Sequence, residues 1–323
     1  MFTMNYKTVY KVLGKDLKKI ESELEKALQS DSPLLQESSL HYLRAGGKRI
    51  RPVFVLLSAR FGNYDFEVVK NVAVSLELIH MASLIHDDVI DDADTRRGRP
   101  TVKAKWDNRV AMYTGDYILA RALEIITRLE DEEAHKILSK TMVELSVGEI
   151  EQIRDKFNFE QSMTTYFRRI KRKTALLIAA SCQLGAIAAG VPREIHEKLY
   201  KFGYYAGMAF QIVDDILDFT ASEKQLGKPA GGDLLQGNIT LPVLFALKDP
   251  ELRKKIVRVH EYMNPQEFQP IIESIRGTNA IRKSQEVSNL YLQKAERILY
   301  ELPANRTKTL METMLNFIGK RNF

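Results

Sequence analysis

Apolar residues return at spacings of three and four along most of the chain: Val9, Leu13, Leu17, Ile20 and Leu24, then Val72, Leu76, Ile79 and Ala82, then Ile118, Ala122, Ile125 and Leu129. An apolar face repeating every 3.6 residues predicts amphipathic helices. Alternating β-branched runs bounded by Asn-Gly or Asp-Gly are scarce, and Ile50 to Leu57 is a short apolar run with no partner hairpin. The expected fold class is therefore all-α. Glycine and proline break the pattern at Ala45-Gly46-Gly47, Gly62-Asn63, Arg97-Gly98-Arg99-Pro100, Gly190-Val191-Pro192, Gly227 to Gly232 and Asp249-Pro250. None of these breaks is long enough to be a linker, so residues 1–323 read as a single helical domain. Gly227 to Gly232 is the loosest interior stretch, a plain surface connection by default or a lid beside a reactive site. The amphipathic Tyr6 to Leu28 helix could serve a partner, a membrane surface or its own core, with the last as the default.

Composition narrows the classes. Hydrophobic residues at 45% and charged residues at 28% exclude low complexity and intrinsic disorder. Thr174 to Val191 carries no charge, yet Thr174, Ser181, Gln183, Gly185 and Gly190 interrupt it. It reads as a buried core helix rather than a membrane span. One cysteine, Cys182, excludes an intrachain disulfide framework and any thiolate metal cage, and makes a reducing cytoplasm the simplest compartment. The first twenty residues carry Lys7, Lys11, Lys15, Lys18 and Lys19 and lack the apolar core of a signal peptide. A net charge of 48 − 42 = +6 leaves anionic metabolites, nucleic acid and membrane surfaces as candidate partners.

Residues 87–94 read Asp-Asp-Val-Ile-Asp-Asp-Ala-Asp. On a helix, Asp87 and Asp91 stack one turn apart with Asp88 beside them, and like charges at that spacing cost about 0.2–0.5 kcal/mol per pair. A cation should sit there. The phrase returns as Ile212-Val213-Asp214-Asp215-Ile216-Leu217-Asp218, displaced by 214 − 87 = 127 residues. One such cluster is an ordinary solvated helix end, but two with shared apolar flanks can face one another across a cavity. Hard oxygen donors suit Mg²⁺, Mn²⁺ or Ca²⁺. The calcium-loop pattern fails because Asp92 stands where that loop requires glycine. Mg²⁺ uses few carboxylates and completes its shell with substrate phosphate oxygens. The basic residues Lys48, Arg49, Arg51, Arg96, Arg97, Lys173 and Lys228 offer the matching anion-binding half. Phosphate-loop, dinucleotide, nucleophile-elbow and zinc-protease motifs are missing, and His80 and His86, six apart, make a poor metal pair.

In combination these segments resemble the all-trans polyprenyl diphosphate synthases. The likeness is carried by Gly46-Gly47-Lys48-Arg49-Ile50-Arg51-Pro52, Glu77-Leu78-Ile79-His80, the first acidic motif with Arg96-Arg97-Gly98, Lys173-Thr174, Gly207-Met208-Ala209-Phe210-Gln211 with the second acidic motif, and Leu226-Gly227-Lys228-Pro229. Gly-Asp-Leu-Leu-Gln-Gly at 232–237 points to the catalytic large subunit of the two-component branch that makes heptaprenyl chains. The resemblance implies an isoprenoid-synthase helical bundle around a deep cavity. It implies an Mg²⁺-dependent enzyme that adds isopentenyl diphosphate to an allylic primer, farnesyl diphosphate, to build an all-trans heptaprenyl diphosphate for a quinone side chain. Two or three Mg²⁺ ions would bind with the diphosphate on Asp87, Asp91, Asp214 and Asp218, with Asp88 and Asp215 in support. By position, Lys48, Arg51, His80 and Arg97 would bind isopentenyl diphosphate, and Arg96, Lys173, Thr174, Gln211 and Lys228 the allylic diphosphate. A small accessory subunit or a homodimer is implied, with no nucleic acid and at most peripheral membrane contact for product release.

Chain length follows partly from helix geometry. Back from Asp87 the same helix carries Ser83 and Ala82, then Ile79, then Leu76, and the small pair lets a growing chain pass about 16 Å down at 1.5 Å per residue. Shorter geranylgeranyl, or hexaprenyl and octaprenyl, products are the nearest alternatives. A terpene cyclase would carry a different second metal motif, and a noncatalytic anion-binding or membrane-surface subunit would have lost aspartates that remain here.

Overall fold

A computed structural model describes residues 6–221 and 230–320, so the candidate lid residues 222–229, Lys228 among them, lie outside the described residues. The all-α expectation holds, with two strands of two residues each as the departure among the described residues. By backbone proximity the chain forms two compact units. The first comprises Met1–Leu138, Ala180–Tyr200 and Leu302–Thr313; the second comprises Ser139–Ala179, Lys201–Glu301 and Met314–Phe323.

In the first unit, α1 (Tyr6–Val12) and α2 (Gly14–Ala27) run almost as one helix, because Leu13 N–H bonds to Val9 O and Leu17 N–H to Leu13 O straight through the junction. Val9, Leu13, Ile20 and Leu24 are fully buried, so this amphipathic stretch serves its own core. After α3 (Pro33–Arg44), the run at Ile50 is the helix α4 (Ile50–Ala59), apolar because it is buried from Val53 to Ala59. Gly185 explains how another segment crosses it: a Cβ there would lie 2.5 Å from the Val55 carbonyl oxygen. α5 (Phe66–Ile90) starts at Asp65, whose side chain accepts the Glu67 N–H, and is buried on most of its circumference. Each wholly buried Val, Leu or Ile on it contributes about 1.5–3 kcal/mol. α5 is long and apolar enough to cross a membrane by length and composition, but 67% of that window is buried within the protein and the helix ends in the first acidic motif. α7 (Asn108–Ile126), which follows the short α6 (Val102–Lys105), packs along α5 with Gly115 against His86: a Cβ at Gly115 would sit 2.3 Å from the ring.

The second unit is built on α9 (Met163–Ile170), α11 (Arg193–Thr220) from residue 201 onward, and the helices that follow, around Tyr166, Met208, Ile212, Phe219, Leu241 and Ile272. α9 runs into a single π-helical turn, Lys171–Ala175, and then into α10 (Leu176–Ala188). The charge-free segment predicted as core is that thirteen-residue helix, buried at Leu176 to Ala180, Cys182, Leu184 and Ala186.

Candidate active site

In the first unit the centre forms where α5 stops. Asp92 takes the left-handed conformation (φ 50°), Ala93 N–H bonds back to Asp88 O at 2.9 Å, and Asp92 N–H to Val89 O. This is a Schellman ending with aspartate in the place that glycine usually fills. The chain then makes a minimal antiparallel pair, β1 (Thr95–Arg96) with β2 (Arg99–Pro100). Arg97 (φ 53°) and Gly98 (φ 73°) supply the two positive φ values of a type I′ turn. That reversal lays Arg96 back over the helix end, where its Nε donates to Asp88 Oδ1 at 2.7 Å. Asp87 and Asp88 are buried and Asp91 is half-buried at the helix C-cap. Burial pushes the Asp88 carboxyl up, against the pull of Arg96, and its Oδ2 is buried without a hydrogen-bond partner. Carboxylates at the negative end of a helix dipole, repelling one another, favour a cation.

The basic residues of the same unit gather around the turn between α3 and α4. Gly46 (φ 80°) and Arg49 (φ 48°) turn the chain, and a Cβ on Gly47 would lie 3.0 Å from a terminal nitrogen of Arg49 and 3.0 Å from one of Arg97. Glycine here lets two guanidiniums close over the backbone. One helix turn above Leu76, His80 feels Arg51, Arg97, Arg96 and Arg49, and burial plus their combined field holds its imidazole well below the usual value, hence neutral. Burial likewise lowers Arg51 to about 10. Arg51, His80, Arg96 and Arg97 are thus gathered, and Lys48 lies exposed on the same loop, its carbonyl accepting the Tyr10 hydroxyl. Leu76, Ile79 and Ala82 are buried, and Ser83 is half-buried with its hydroxyl donating to His80 O at 2.9 Å.

In the second unit the π-turn carries Lys173 and Thr174. It is clasped by two glycines: a Cβ on Gly148 of α8 (Glu132–Arg154) would lie 2.6 Å from the Arg172 Cβ, and one on Gly207 of α11 would lie 2.7 Å from the Ala175 Cα. π-turns inside helices recur at functional sites. Thr174 Oγ1 donates to Gln211 Oε1 at 2.5 Å, Gln211 Nε2 donates to Asp215 Oδ1 at 2.9 Å, and Tyr166 donates to Asp215 Oδ2 at 2.6 Å. Asp215 is buried and raised to about 7, first by desolvation and then by the charge of Asp233, against these hydrogen bonds. Asp214 and Asp218 occupy the neighbouring stripe of α11, one turn apart. Asp218 Oδ2 accepts the Asp233 N–H at 3.2 Å, and its backbone oxygen accepts the Gly231 N–H. Lys173 reaches Gln152 at 3.1 Å and Glu149 at 3.5 Å.

Within the first unit the carboxylates at the end of α5 are hard oxygen donors, one of them, Asp88 Oδ2, buried without a hydrogen-bond partner, and they fit Mg²⁺. Among the described residues, no three His, Cys, Asp or Glu side chains already form a metal cage.

Residues 32–275 match the polyprenyl synthetase family. The chain belongs to that family. Heptaprenyl diphosphate synthase component 2 of Bacillus subtilis (strain 168) is 60% identical over 320 residues, covering 99% of this chain and 92% of that protein. The Geobacillus stearothermophilus protein of the same name is 59% identical, covering 99% and 100%. Among solved structures, the heptaprenyl diphosphate synthase of Staphylococcus aureus superposes with a TM-score of 0.93 at 44% identity, covering 99% of this chain and 100% of that one. As a family member the chain is a trans-prenyltransferase. The family is Mg²⁺-dependent, and the Caulobacter crescentus polyprenyl synthase (TM-score 0.94, 30% identity, 99% of each chain) was crystallised with calcium and isoprenyl diphosphate.

Sequence reasoning missed Glu77 as a buried partner of Arg49, and Tyr166 as the anchor of Asp215. Glu77 had a signal, a lone charge inside the apolar run from Val72 to Ala82; Tyr166 had none.

Proposed function

We propose that this chain is the catalytic subunit of a heptaprenyl diphosphate synthase, extending farnesyl diphosphate with isopentenyl diphosphate units to an all-trans C35 product. The observation that carries the reading is the neutral His80 among four guanidiniums, in the unit that also holds the carboxylate-rich end of α5. An anionic and a cationic ligand are invited together, which is what a metal-bound diphosphate chemistry requires.

Arg51, Arg97, Lys48 and His80 bind isopentenyl diphosphate. Forked guanidiniums fix the diphosphate, and the neutral imidazole offers a hydrogen bond without adding a fifth positive charge. Arg96, Lys173, Thr174, Gln211 and Lys228 bind the allylic diphosphate. Asp87, Asp91, Asp214 and Asp218 would hold two or three Mg²⁺ ions, which would supply Lewis-acid stabilisation of the leaving diphosphate. The C1–O bond of the primer breaks with its electron pair on diphosphate, and C4 of isopentenyl diphosphate attacks C1. A proton then leaves the new unit to the released diphosphate. No side-chain nucleophile takes part, and buried Cys182, its thiol pushed up to about 12 by desolvation, is not one. Ser83 and Ala82, followed by Ile79 and Leu76, set the length of the product chain.

A partner subunit is part of the proposal. It is supported by the "component 2" in the names of two relatives and by large apolar side chains left exposed: Met112, Tyr113 and Leu123 on α7, and Val143, Val147 and Ile150 on α8. Such area is what subunit contacts cover. The test is to incubate the purified chain with farnesyl diphosphate, labelled isopentenyl diphosphate and Mg²⁺, with and without a co-expressed small subunit, and to size the products. Incorporation into a C35 chain is expected, and no incorporation in any arm overturns the assignment.

A further inference from the structure

We propose that Glu77 is a positioning residue for the isopentenyl diphosphate site, holding Arg49 away from substrate and balancing Arg51 toward it. The inference deepens the reading above and rests on it. Two arginines stand two residues apart at the start of α4, Arg49 as its N-cap and Arg51 in its first turn, and the structure sorts them. Arg49, 7% exposed, is engaged by protein: Nη1 donates to Glu77 Oε1 at 3.1 Å, Nε to Glu21 Oε1 at 2.5 Å, and Nη2 to Glu21 Oε2 at 3.2 Å and to the Leu43 carbonyl at 3.3 Å. Four of the five N–H donors of that guanidinium are taken by protein, leaving one on Nη1. Arg51 differs: one of its guanidinium nitrogens, Nε, is buried with no hydrogen-bond partner, and the group is drawn by Glu77 and repelled by Arg97.

Glu77 is 3% exposed, sits one turn before His80 on α5, and keeps Oε2 buried without a hydrogen-bond partner. An unmatched carboxylate oxygen and an unmatched guanidinium nitrogen in each other's field are an unusual pairing to bury. It makes sense if Arg51 is to give its donors to an arriving anion while the carboxylate holds the guanidinium charge in place. A carboxylate would repel a diphosphate on contact, so Glu77 acts through Arg49 and Arg51 and does not touch substrate. Glu21 extends the arrangement to α2.

The experiment uses the full chain, with the small subunit if elongation needs it. Glu77→Gln keeps size and one acceptor but removes the charge. It is expected to raise the KM for isopentenyl diphosphate about tenfold, with the KM for farnesyl diphosphate unchanged and competitive inhibition by inorganic diphosphate against isopentenyl diphosphate weakened in parallel. Glu77→Asp should recover part of the loss. Arg49→Lys, which keeps the charge but loses the fork, should show the same split and carries the test if Glu77→Gln does not fold. Equal changes in both KM values, or none in a folded variant, overturn the proposal. Wild-type elongation on the same preparations separates the two claims: an inactive wild type overturns both, an active one with no split overturns only this one.

Discussion

The imidazole of His80 is buried and sits in the field of Arg51, Arg97, Arg96 and Arg49, so a second proton there is far less stable than in water. The unfolded chain titrates this group near 6.5, the folded chain well below. Above 6.5 neither state holds the proton and the residue contributes no pH dependence. As pH falls below 6.5 the unfolded chain takes up a proton that the folded chain refuses, so stability falls with pH, by up to about 1.4 kcal/mol per pH unit, until the folded value is reached. His80→Asn should therefore lose less stability than wild type between about pH 6.5 and 5 in denaturant titrations; parallel curves would show that His80 is not held neutral. Adding inorganic diphosphate should raise the His80 titration midpoint by NMR, because an anion cancels the guanidinium field. The residues in this neighbourhood were unequally legible. Asp87, Asp91, Arg51 and Arg97 stood out as charges in repeated or glycine-flanked phrases. The different fates of Arg49 and Arg51 did not, because they depend on Glu77 and Glu21, each 28 residues from Arg49 and on different helices.

Helices announced themselves by period, but what matters at the second acidic motif is where two of them nearly touch. Gly207, Gln211 and Asp215 form one stripe of α11 at spacings of four, and this stripe meets the π-turn that presents Thr174. The stripe was readable; the π-turn was not, since one extra residue per turn over five residues leaves no periodic trace. The Arg96 to Arg99 hairpin escaped for a similar reason: two-residue strands have no alternation to detect, and Arg97-Gly98 read only as a break. Gly207→Ala tests the contact. Its Cβ would fall 2.7 Å from a backbone atom, Ala175 Cα, which cannot swing aside. Such overpacking costs about 1–3 kcal/mol, so a lower thermal midpoint is expected, and with Thr174 displaced the KM for the allylic primer should rise more than that for isopentenyl diphosphate. An unchanged midpoint would mean that the two segments part without loss.

At the scale of the molecule, the two compact units are expected to unfold together because of how the chain passes between them. The chain passes from one unit to the other at 138/139, 179/180, 200/201, 301/302 and 313/314. The first three passages fall inside α8, α10 and α11, and the last inside the helix Arg306–Gly319. A helix cannot melt at one end of such a junction without losing hydrogen bonds and buried side chains on the other, and helix formation is cooperative along its length. The second acidic motif lies near the C-terminal end of α11, a helix whose first eight residues, Arg193 to Tyr200, belong to the first unit. The single domain read from the absence of linkers leads to one expectation: calorimetry of the purified chain should give one unfolding transition, with calorimetric and van't Hoff enthalpies in agreement. Diphosphate with Mg²⁺ should move that whole transition upward, since a ligand of the native state stabilises everything that unfolds with its site. Two resolved transitions, of which only one responds to diphosphate, would show instead that the units are thermodynamically separate and that the shared helices break at the junctions.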